Sequence, residues 1–203
     1  MARAGAADPA LCGRAYEQRL AADRKSRRAG GAYYTPPHLV DYTIDHALVG
    51  GRDPHLLDPA CGGGAFLLAA FARGVAPSQL HGVDIDPTAV AVCRLALALA
   101  GAPGADIRLG DALDDATEMP PADVVVGNPP WGQKGLRFPK DQAARLRRRY
   151  RTARGVLDPF ALFVERGLEL VGEGGRVALV LPTSSCSRTS VPCATCSSST
   201  GSS

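Results

Sequence analysis

The 203-residue sequence contains no apolar run that approaches the ~20 residues a helix needs to cross a bilayer. Its amino-terminal residues also lack the apolar core of a signal peptide. With 45% hydrophobic residues and a mean hydropathy of −0.03, the chain is long and apolar enough for one domain with a real core. These features argue against a membrane protein and predict a cytoplasmic globular one.

The sequence has few groups that could hold a metal ion. None of its four histidines shows ligand spacing, and Cys193 and Cys196, at metal-like spacing, are followed by no second pair. Cys12, Cys61 and Cys93 stand among small and apolar neighbours, so we expect them to be reduced and in or near the core. No metal site is predicted.

Two common nucleotide-binding signatures are also missing. The glycine-rich stretch Asp58–Phe66 (DPACGGGAF) has neither the Gly-x-Gly-x-x-Gly of a dinucleotide site nor the Lys-Ser/Thr of a P-loop. Its glycines still let the backbone approach a ligand and adopt positive φ. The stretch predicts a ligand-binding turn, although surface turns also use glycine freely.

What the chain does have is an alternation of short apolar strands and helices. Repeated β-α-β units form parallel sheets covered by helices on both faces, and their ligands bind at the carboxyl ends of the strands. We therefore predict an α/β, Rossmann-like fold with a mostly parallel sheet. Strands are predicted at 55–58, 79–84, 106–109, 123–126 and, after a turn at Gly174-Gly175, at 176–181; helices are predicted at 10–28, 38–48, 65–73, 88–100 and 158–171.

Acidic residues end the second and third predicted strands. Asp84 and Asp86 lie about 20 residues past the glycine turn, where such folds bind a ribose diol. Only one of the two can face the glycine loop, and Asp84 is preferred with Asp86 as the alternative. Asp111, after the third strand, is placed to accept a hydrogen bond from an adenine amine. Each acid could instead cap a helix, most notably Asp86 before Pro87.

The segment Gly127–Trp131 (GNPPW) follows the apolar fourth strand. Its prolines have no N–H and fix their own φ, and Pro129 keeps Asn128 extended. Two acceptors remain on a stiff backbone, the Asn128 amide oxygen and the Pro129 carbonyl, beside the indole of Trp131. This arrangement suits an amine on a flat ring or an amide; the alternative is a turn that ends the strand, with a core tryptophan.

In their order, these segments resemble the S-adenosylmethionine-dependent, N6-adenine-specific DNA methyltransferases of restriction–modification systems. The subclass is the one whose cofactor and catalytic motifs precede the target-recognition region, and the resemblance runs from about Gly31 to Pro182. It rests on GAYYTP at 31–36, the glycine-rich stretch with Gly63 where serine is commoner, Asp84, Asp111, NPPW at 128–131, DPFALFVE at 158–165 and GGRVALVLP at 174–182.

The resemblance implies a class I methyltransferase fold, S-adenosylmethionine as the cofactor and double-stranded DNA as the partner. Asn128 and the Pro129 carbonyl would accept hydrogen bonds from the exocyclic amine of a flipped adenine, on which Trp131 would stack. The catalytic set would be Asn128, Pro129, Pro130 and Trp131. The cofactor would contact Tyr34, Thr35, Pro36, Asp58, Pro59, Ala60, Gly62, Gly64, Phe66, Asp84, Ile85, Asp111, Ala112 and Asn128.

Two basic runs flank this candidate site. Nine Lys or Arg residues stand between Lys134 and Arg154 against the single acid Asp141, and a second run covers Arg24–Arg28. A basic run is often only a solvated helix face, but two of them indicate a polyanionic partner. Phosphate contacts are expected from Lys134, Arg145, Arg148 and Arg149.

The composition divides the chain into three parts. Residues 1–30 are predicted to be a basic helical segment and residues 31–182 an incomplete methyltransferase domain, with later strands missing. Residues 183–203 hold 13 Ser or Thr among 21 and are predicted to be a disordered or non-native tail, the product of a truncation or frameshift. A separate or fused specificity or restriction component would then lie outside this chain.

Three other functions remain open. A protein-glutamine N5-methyltransferase and an RNA adenine methyltransferase use the same Asn-Pro-Pro-aromatic chemistry, and a non-catalytic remnant could bind cofactor or DNA without turnover. The flanking basic runs favour nucleic acid over protein, and DNA over RNA follows only from the resemblance. The fragment alone is expected to be poorly active and unable to choose a sequence.

Overall fold

The computed structural model describes residues 34–50, 53–131 and 138–181, together with Pro9, Leu11, Gly13, Ala15, Tyr16 and Gln18. All six of these isolated residues are helical, in agreement with the amino-terminal end of the predicted helix 10–28. The rest of that helix, Lys134, Pro182 and the predicted tail 183–203 lie outside the described residues.

A five-stranded sheet forms the centre of the domain, and all its strand pairs are parallel. The strand order is β3-β2-β1-β4-β5, so the chain moves outward from β1 on one side and then restarts beside β1 with β4. The strands are β1 (Leu56–Asp58), β2 (Leu80–Asp84), β3 (Asp106–Leu109), β4 (Ala122–Gly127) and β5 (Val171–Leu179).

Helices cover both faces of the sheet, as the repeated β-α-β pattern predicts. Successive side chains of β4 point to opposite faces of the sheet. Val124 and Val126 pack with α1 to α3, whereas Val125 belongs to a cluster on the other face. Helices α4 and α5 contribute Leu146, Leu162 and Phe163 to a further core cluster. The helices are α1 (Pro37–Ala47), α2 (Ala65–Ala72), α3 (Pro87–Ala100), α4 (Lys140–Arg149) and α5 (Pro159–Leu170).

The fifth strand differs from its prediction. It begins at Val171, directly after α5, and no separate turn precedes Arg176. The extra residues form a bulge instead, because Ala122 pairs with Val171 while Val124 already pairs with Arg176. Gly174, at φ 76, supplies the left-handed conformation that this bulge contains. Helix α4 lies in the basic segment, to which the sequence had assigned no secondary structure.

Within these described ranges, no helix is long and apolar enough to cross a membrane. The strand order places a topological switch point between β1 and β4, where neighbouring connections leave in opposite directions. In open parallel sheets the crevice at such a point, at the carboxyl ends of the strands, is the usual ligand site. Both the glycine-rich stretch and the Asn-Pro-Pro-Trp segment begin at this edge.

Candidate functional site

The carboxyl edge of the sheet gathers the polar residues that the sequence singled out. Asp58 ends β1, Asp84 ends β2, Asp111 follows β3 by two residues and Asn128 follows β4. Since β1 lies between β2 and β4, Asp58 is at the centre of this row. Four segments distant in the sequence thus meet at one edge.

The turn after β1 has the conformation that requires its glycines. Gly62 and Gly64 adopt φ values of 51° and 86°, in the left-handed region. A Cβ on Gly64 would also lie 2.8 Å from Sγ of Cys93 on α3. Asp58 is 1% exposed, and its Oδ1 accepts from the Ala60 N–H at 3.0 Å, which fixes the start of the turn. Pro59 and Ala60 lie in this turn, whereas Phe66 is 3% exposed in the core under α2.

Asp84 joins the glycine turn to the end of β2. Its Oδ2 accepts from the Gly62 N–H at 2.8 Å and its Oδ1 from the Asp86 N–H at 2.9 Å. Burial raises the pKa of Asp84 above its ordinary value, although these N–H donors favour the ionised form. A carboxylate has about four lone-pair positions, so Asp84 keeps acceptor capacity for a ligand. The next residue, Ile85, is 67% exposed and offers an apolar surface at the same edge.

Asp86 has the capping role that was its alternative interpretation. Its Oδ1 accepts from the Thr88 N–H at 2.8 Å, at the amino terminus of α3. Of the two alternating acids, Asp84 therefore faces the glycine turn and Asp86 faces the helix.

Asp111 lies beside a cleft of about 360 Å³. Its Oδ1 accepts from the Leu113 N–H at 3.0 Å, and its Oδ2 from the Gln142 side chain of α4 at 3.3 Å. Ala112 is buried, and its carbonyl accepts from Arg166 Nε at 3.0 Å. Gln142, which sequence reasoning missed, thus connects α4 to the acid expected at the adenine ring.

Asn128 has one satisfied and one unsatisfied end. Its Nδ2 donates to the Thr35 hydroxyl at 2.9 Å, and Thr35 is 6% exposed. Its Oδ1 is buried and has no hydrogen-bond partner among the described residues. A buried acceptor without a donor costs about 1–3 kcal/mol, so this oxygen is suited to a ligand that supplies one. Tyr34 and Pro36 flank Thr35 at the same place, just before α1.

The residues after Asn128 hold an aromatic ring beside it. Pro129 is fully buried, and Pro130 and Trp131 are partly buried. The Trp131 Nε1–H donates to the Val180 carbonyl at 3.3 Å, which fixes one edge of the indole against the end of β5. The ring is anchored through its polar edge.

Gly127 allows the end of β4 to approach the end of β1. Its φ is 146°, and a Cβ there would lie 2.6 Å from Oδ1 of Asp58. The backbone just before the Asn-Pro-Pro-Trp segment therefore packs directly on the acid that begins the glycine-rich turn.

The amino-terminal helical segment also contacts this region, which sequence reasoning had not foreseen. The Tyr16 hydroxyl donates to Oδ2 of Asp86 at 2.5 Å. Partial burial acts to raise the pKa of Asp86, but the Tyr16 hydroxyl and the Thr88 N–H outweigh it and lower that pKa. A Cβ on Gly63 would lie 2.7 Å from Cα of Gly13, so the two backbones touch. The glycine at 63, where serine was expected, was the only signal for this packing.

The basic residues of α4 are of two kinds. Arg145 bonds Asp114 at 3.2 Å, and Arg149 bonds both Asp115 at 2.9 Å and Glu169 at 2.6 Å. Arg148 is exposed and forms no ion pair within the described ranges. The expected phosphate contacts of all three stay predictions, and Lys134 lies outside the described residues. In the described part of the chain, no group of three His, Cys, Asp or Glu residues could hold a metal ion.

Comparison with known proteins gives a consistent set of relatives. The sequence profile of the family described as N-6 DNA Methylase matches residues 7–192. The type II methyltransferase M.VspI of Vibrio sp. (strain 343) is 33% identical over 131 residues, 64% of this chain and 32% of that protein. The ribosomal RNA small subunit methyltransferase C of Pseudomonas putida (strain GB-1) is 40% identical over 85 residues, 41% of this chain and 24% of that protein.

A solved structure agrees in fold. The type I restriction-modification system methyltransferase subunit from Streptococcus thermophilus matches with a TM-score of 0.60 and 26% identity, over 90% of this chain and 41% of that one. The chain spans about a third of the length of the type II relatives it matches.

Proposed function

Because this chain belongs to the N-6 DNA methylase family, we propose that it carries the cofactor and catalytic site of an S-adenosylmethionine-dependent methyltransferase that acts on the exocyclic amine of adenine in DNA. The observation that carries the proposal is the buried Asn128 Oδ1 without a donor, at the switch point of the sheet and beside an anchored indole. An –NH₂ group on a flat ring supplies both the missing donor and a surface for stacking.

The residues at the carboxyl edge fit the cofactor. The turn with its left-handed glycines Gly62 and Gly64 lies at this edge beside Asp84, which retains lone pairs for a ribose diol. Ile85 offers an exposed apolar face, and Asp111 an acceptor, for the adenine moiety. When bound, S-adenosylmethionine supplies an electrophilic methyl group on a sulfonium.

The catalytic work assigned to this chain is positioning. Asn128 Oδ1 and the Pro129 carbonyl accept from the substrate amine, orient its lone pair and stabilise the positive charge that develops on nitrogen. Thr35 keeps Asn128 in this orientation, since it accepts from Nδ2 and leaves Oδ1 for the substrate. Trp131 stacks on the extruded base, which must leave the duplex to reach the pocket.

The proposal extends to partners. Double-stranded DNA is the substrate, and the relatives among restriction–modification proteins favour a role in such a system, with recognition of sequence supplied by a component beyond these residues. An RNA adenine substrate is the second candidate, and the similarity to a ribosomal RNA methyltransferase supports RNA as the polymer. A protein-glutamine substrate has no supporting relative among those described above.

A substrate panel tests the proposal. The chain is incubated with S-adenosylmethionine labelled in its methyl group and, separately, with adenine-containing duplex DNA, ribosomal RNA and a glutamine-containing peptide. We expect slow incorporation of label into N6-methyladenine of DNA, since this chain alone is expected to be poorly active. Label in RNA alone would support the second candidate, and label in the peptide would overturn the assignment to nucleic acid.

A further inference from the structure

Helix α4 carries its arginines on two faces with different surroundings. The inner face holds Arg145 and Arg149, which pair with Asp114 and Asp115 on the loop after β3. Arg149 also bonds Glu169 of α5 through two nitrogen–oxygen pairs, at 2.9 and 2.6 Å. These two cations are neutralised within the protein, and they fasten α4 to the loop that carries Asp111.

The outer face has no such ion pairs, although Arg148 lines the same cleft as Arg145 and Arg149. Five cations are exposed there, and no carboxylate of the described residues lies within ion-pair distance of any of them. The Arg147 guanidinium donates only to the Gly155 carbonyl, at 3.1 Å. They are Lys140, Arg147 and Arg148 on α4, and Arg151 and Arg154 on the loop that follows.

The backbone that presents the outer cations is firmly held. Glu165 of α5 accepts from the N–H groups of Arg151 and Thr152, both at 2.8 Å. Leu146 and Ala153 are buried on either side of these residues. The outer cations therefore stand on a fixed platform, not on a loose loop.

This platform lies at the same edge as Asn128. Gln142 of α4 contacts Asp111, a residue of the carboxyl edge. In addition, α5 follows the loop and leads directly into β5, which runs parallel to β4. Because β5 begins at the amino edge of the sheet, α5 ends at that edge and starts at the opposite, carboxyl edge. The outer cations thus stand on a helix and loop that contact the carboxyl edge of the sheet at the end of β3.

We propose that the outer face, defined as Lys140, Arg147, Arg148, Arg151 and Arg154, binds the phosphodiester backbone of the DNA duplex that carries the target adenine. This inference rests on the proposed function and makes it more specific. Charge complementarity selects the partner, since a group of exposed cations without ion pairs on a rigid surface suits phosphates and positions a duplex without reading its sequence. Arg145 and Arg149 are assigned to the internal clamp, because a phosphate could reach Arg149 only by displacing carboxylates.

The test compares two double variants that lose the same charge. R148Q/R151Q removes outer-face cations, and R73Q/R108Q removes cations paired with Asp41, Asp45 and Asp106, at the end of α2 and on β3. Binding of a fluorescently labelled DNA duplex is measured by anisotropy over a salt series. Melting temperature and S-adenosylmethionine affinity are measured for each protein.

For R148Q/R151Q we expect the slope of log affinity against log salt to fall by about two, at about 0.9 per lost phosphate contact, with cofactor affinity unchanged. R73Q/R108Q should keep the parent slope, since its cations lie elsewhere. Equal slopes for the two double variants, no salt-dependent binding by the parent chain, or preference for an RNA hairpin would overturn the proposal. Phosphate binding through this face without any methyl transfer would contradict the proposed function and leave the surface assignment standing.

Discussion

At the scale of single residues, two unusual positions follow one another at the end of β4. Gly127 cannot be replaced without strain or a clash, and the Asn128 amide has a hydrogen-bond partner at Nδ2 but none at Oδ1 among the described residues. Gly127 lets the backbone lie against Asp58, and this places Asn128 at the switch point with Oδ1 directed away from its Thr35 partner. The sequence predicted the acceptors from the two prolines. It could not predict the Thr35 contact, because 93 residues separate the two side chains and only the sheet order brings them together.

The first prediction concerns Gly127. Substitution G127A should destabilise the fold by about 1–3 kcal/mol, because alanine resists a φ of 146° and its Cβ would meet Oδ1 of Asp58. Urea unfolding measures the loss. G104A is the matched control, since a Cβ there finds its nearest neighbour at 3.7 Å and no positive φ is required. Equal stability of the two variants would show that the close approach to Asp58 is unimportant.

A second prediction concerns histidines at the opposite, amino edge of the sheet. His55 Nδ1 lies 3.1 Å from His81 Nε2, and Asp106 Oδ2 lies 3.6 Å from His81 Nδ1, beyond hydrogen-bond distance. Burial lowers the pKa of His81 below 6.5, with smaller contributions from His55 and Arg108, although Asp106 opposes the shift. The unfolded chain then binds a proton more readily than the folded one, so stability falls as pH drops below about 6.5 towards the folded pKa.

Melting temperature recorded from pH 8 to pH 5 checks this expectation. The parent chain should lose stability below about pH 6.5. H81Q should lose less over the same interval, since glutamine does not titrate. If the melting temperature of the parent chain stays constant or rises as the pH falls, the proposed effect of the His55–His81 pair on stability is contradicted.

At the scale of elements, the sequence predicted best those strands and helices whose ends are marked in the local sequence. Four of five strands and α1, α2, α3 and α5 lie within about two residues of their predicted bounds, because a glycine, a proline or an acidic residue stands at one end of each. The start of β5 was wrong, since two adjacent glycines indicate a turn as readily as a bulge. Helix α4 has few apolar residues, and its inner face is fixed by ion pairs that a hydrophobic pattern cannot reveal.

A third prediction tests the packing of the amino-terminal helical segment on the glycine-rich turn. G63S introduces a side chain whose Cβ would lie 2.7 Å from Cα of Gly13, and backbone cannot easily move away. We expect faster hydrogen exchange at the amides around Gly13 and Tyr16, with exchange in β1 and β4 unchanged.

Two further variants serve as controls in this experiment. Y16F removes the hydrogen bond to Asp86 without adding bulk, and it should produce a smaller effect at the same amides. G104S adds the same side chain where a Cβ has room. Unchanged exchange around Tyr16 in G63S would mean that the segment does not depend on the close glycine pair.

At the scale of the whole molecule, the order of strands creates the site. Asp58, Asp84, Asp111 and Asn128 end or follow four strands, and the order β3-β2-β1-β4 brings them to one edge. The alternation of strands and helices predicted this edge in general terms. The contributions of Tyr16, Gln142 and the Arg149 clamp arise from tertiary packing between segments whose local sequence gives no hint of their partners.

The measurement that tests the central claim most directly is single-turnover methyl transfer to adenine N6, with parent chain and N128A compared. The substrate is a duplex with a mismatched adenine, which lowers the cost of extrusion, and the product is quantified by mass spectrometry from ¹³C-methyl cofactor. We predict N6-methyladenine from the parent chain and a rate about 10²–10³-fold lower for N128A, with an unchanged melting temperature. Transfer by N128A at the parent rate, or label on an atom other than N6, would contradict the assignment of Asn128 as the acceptor for the substrate amine.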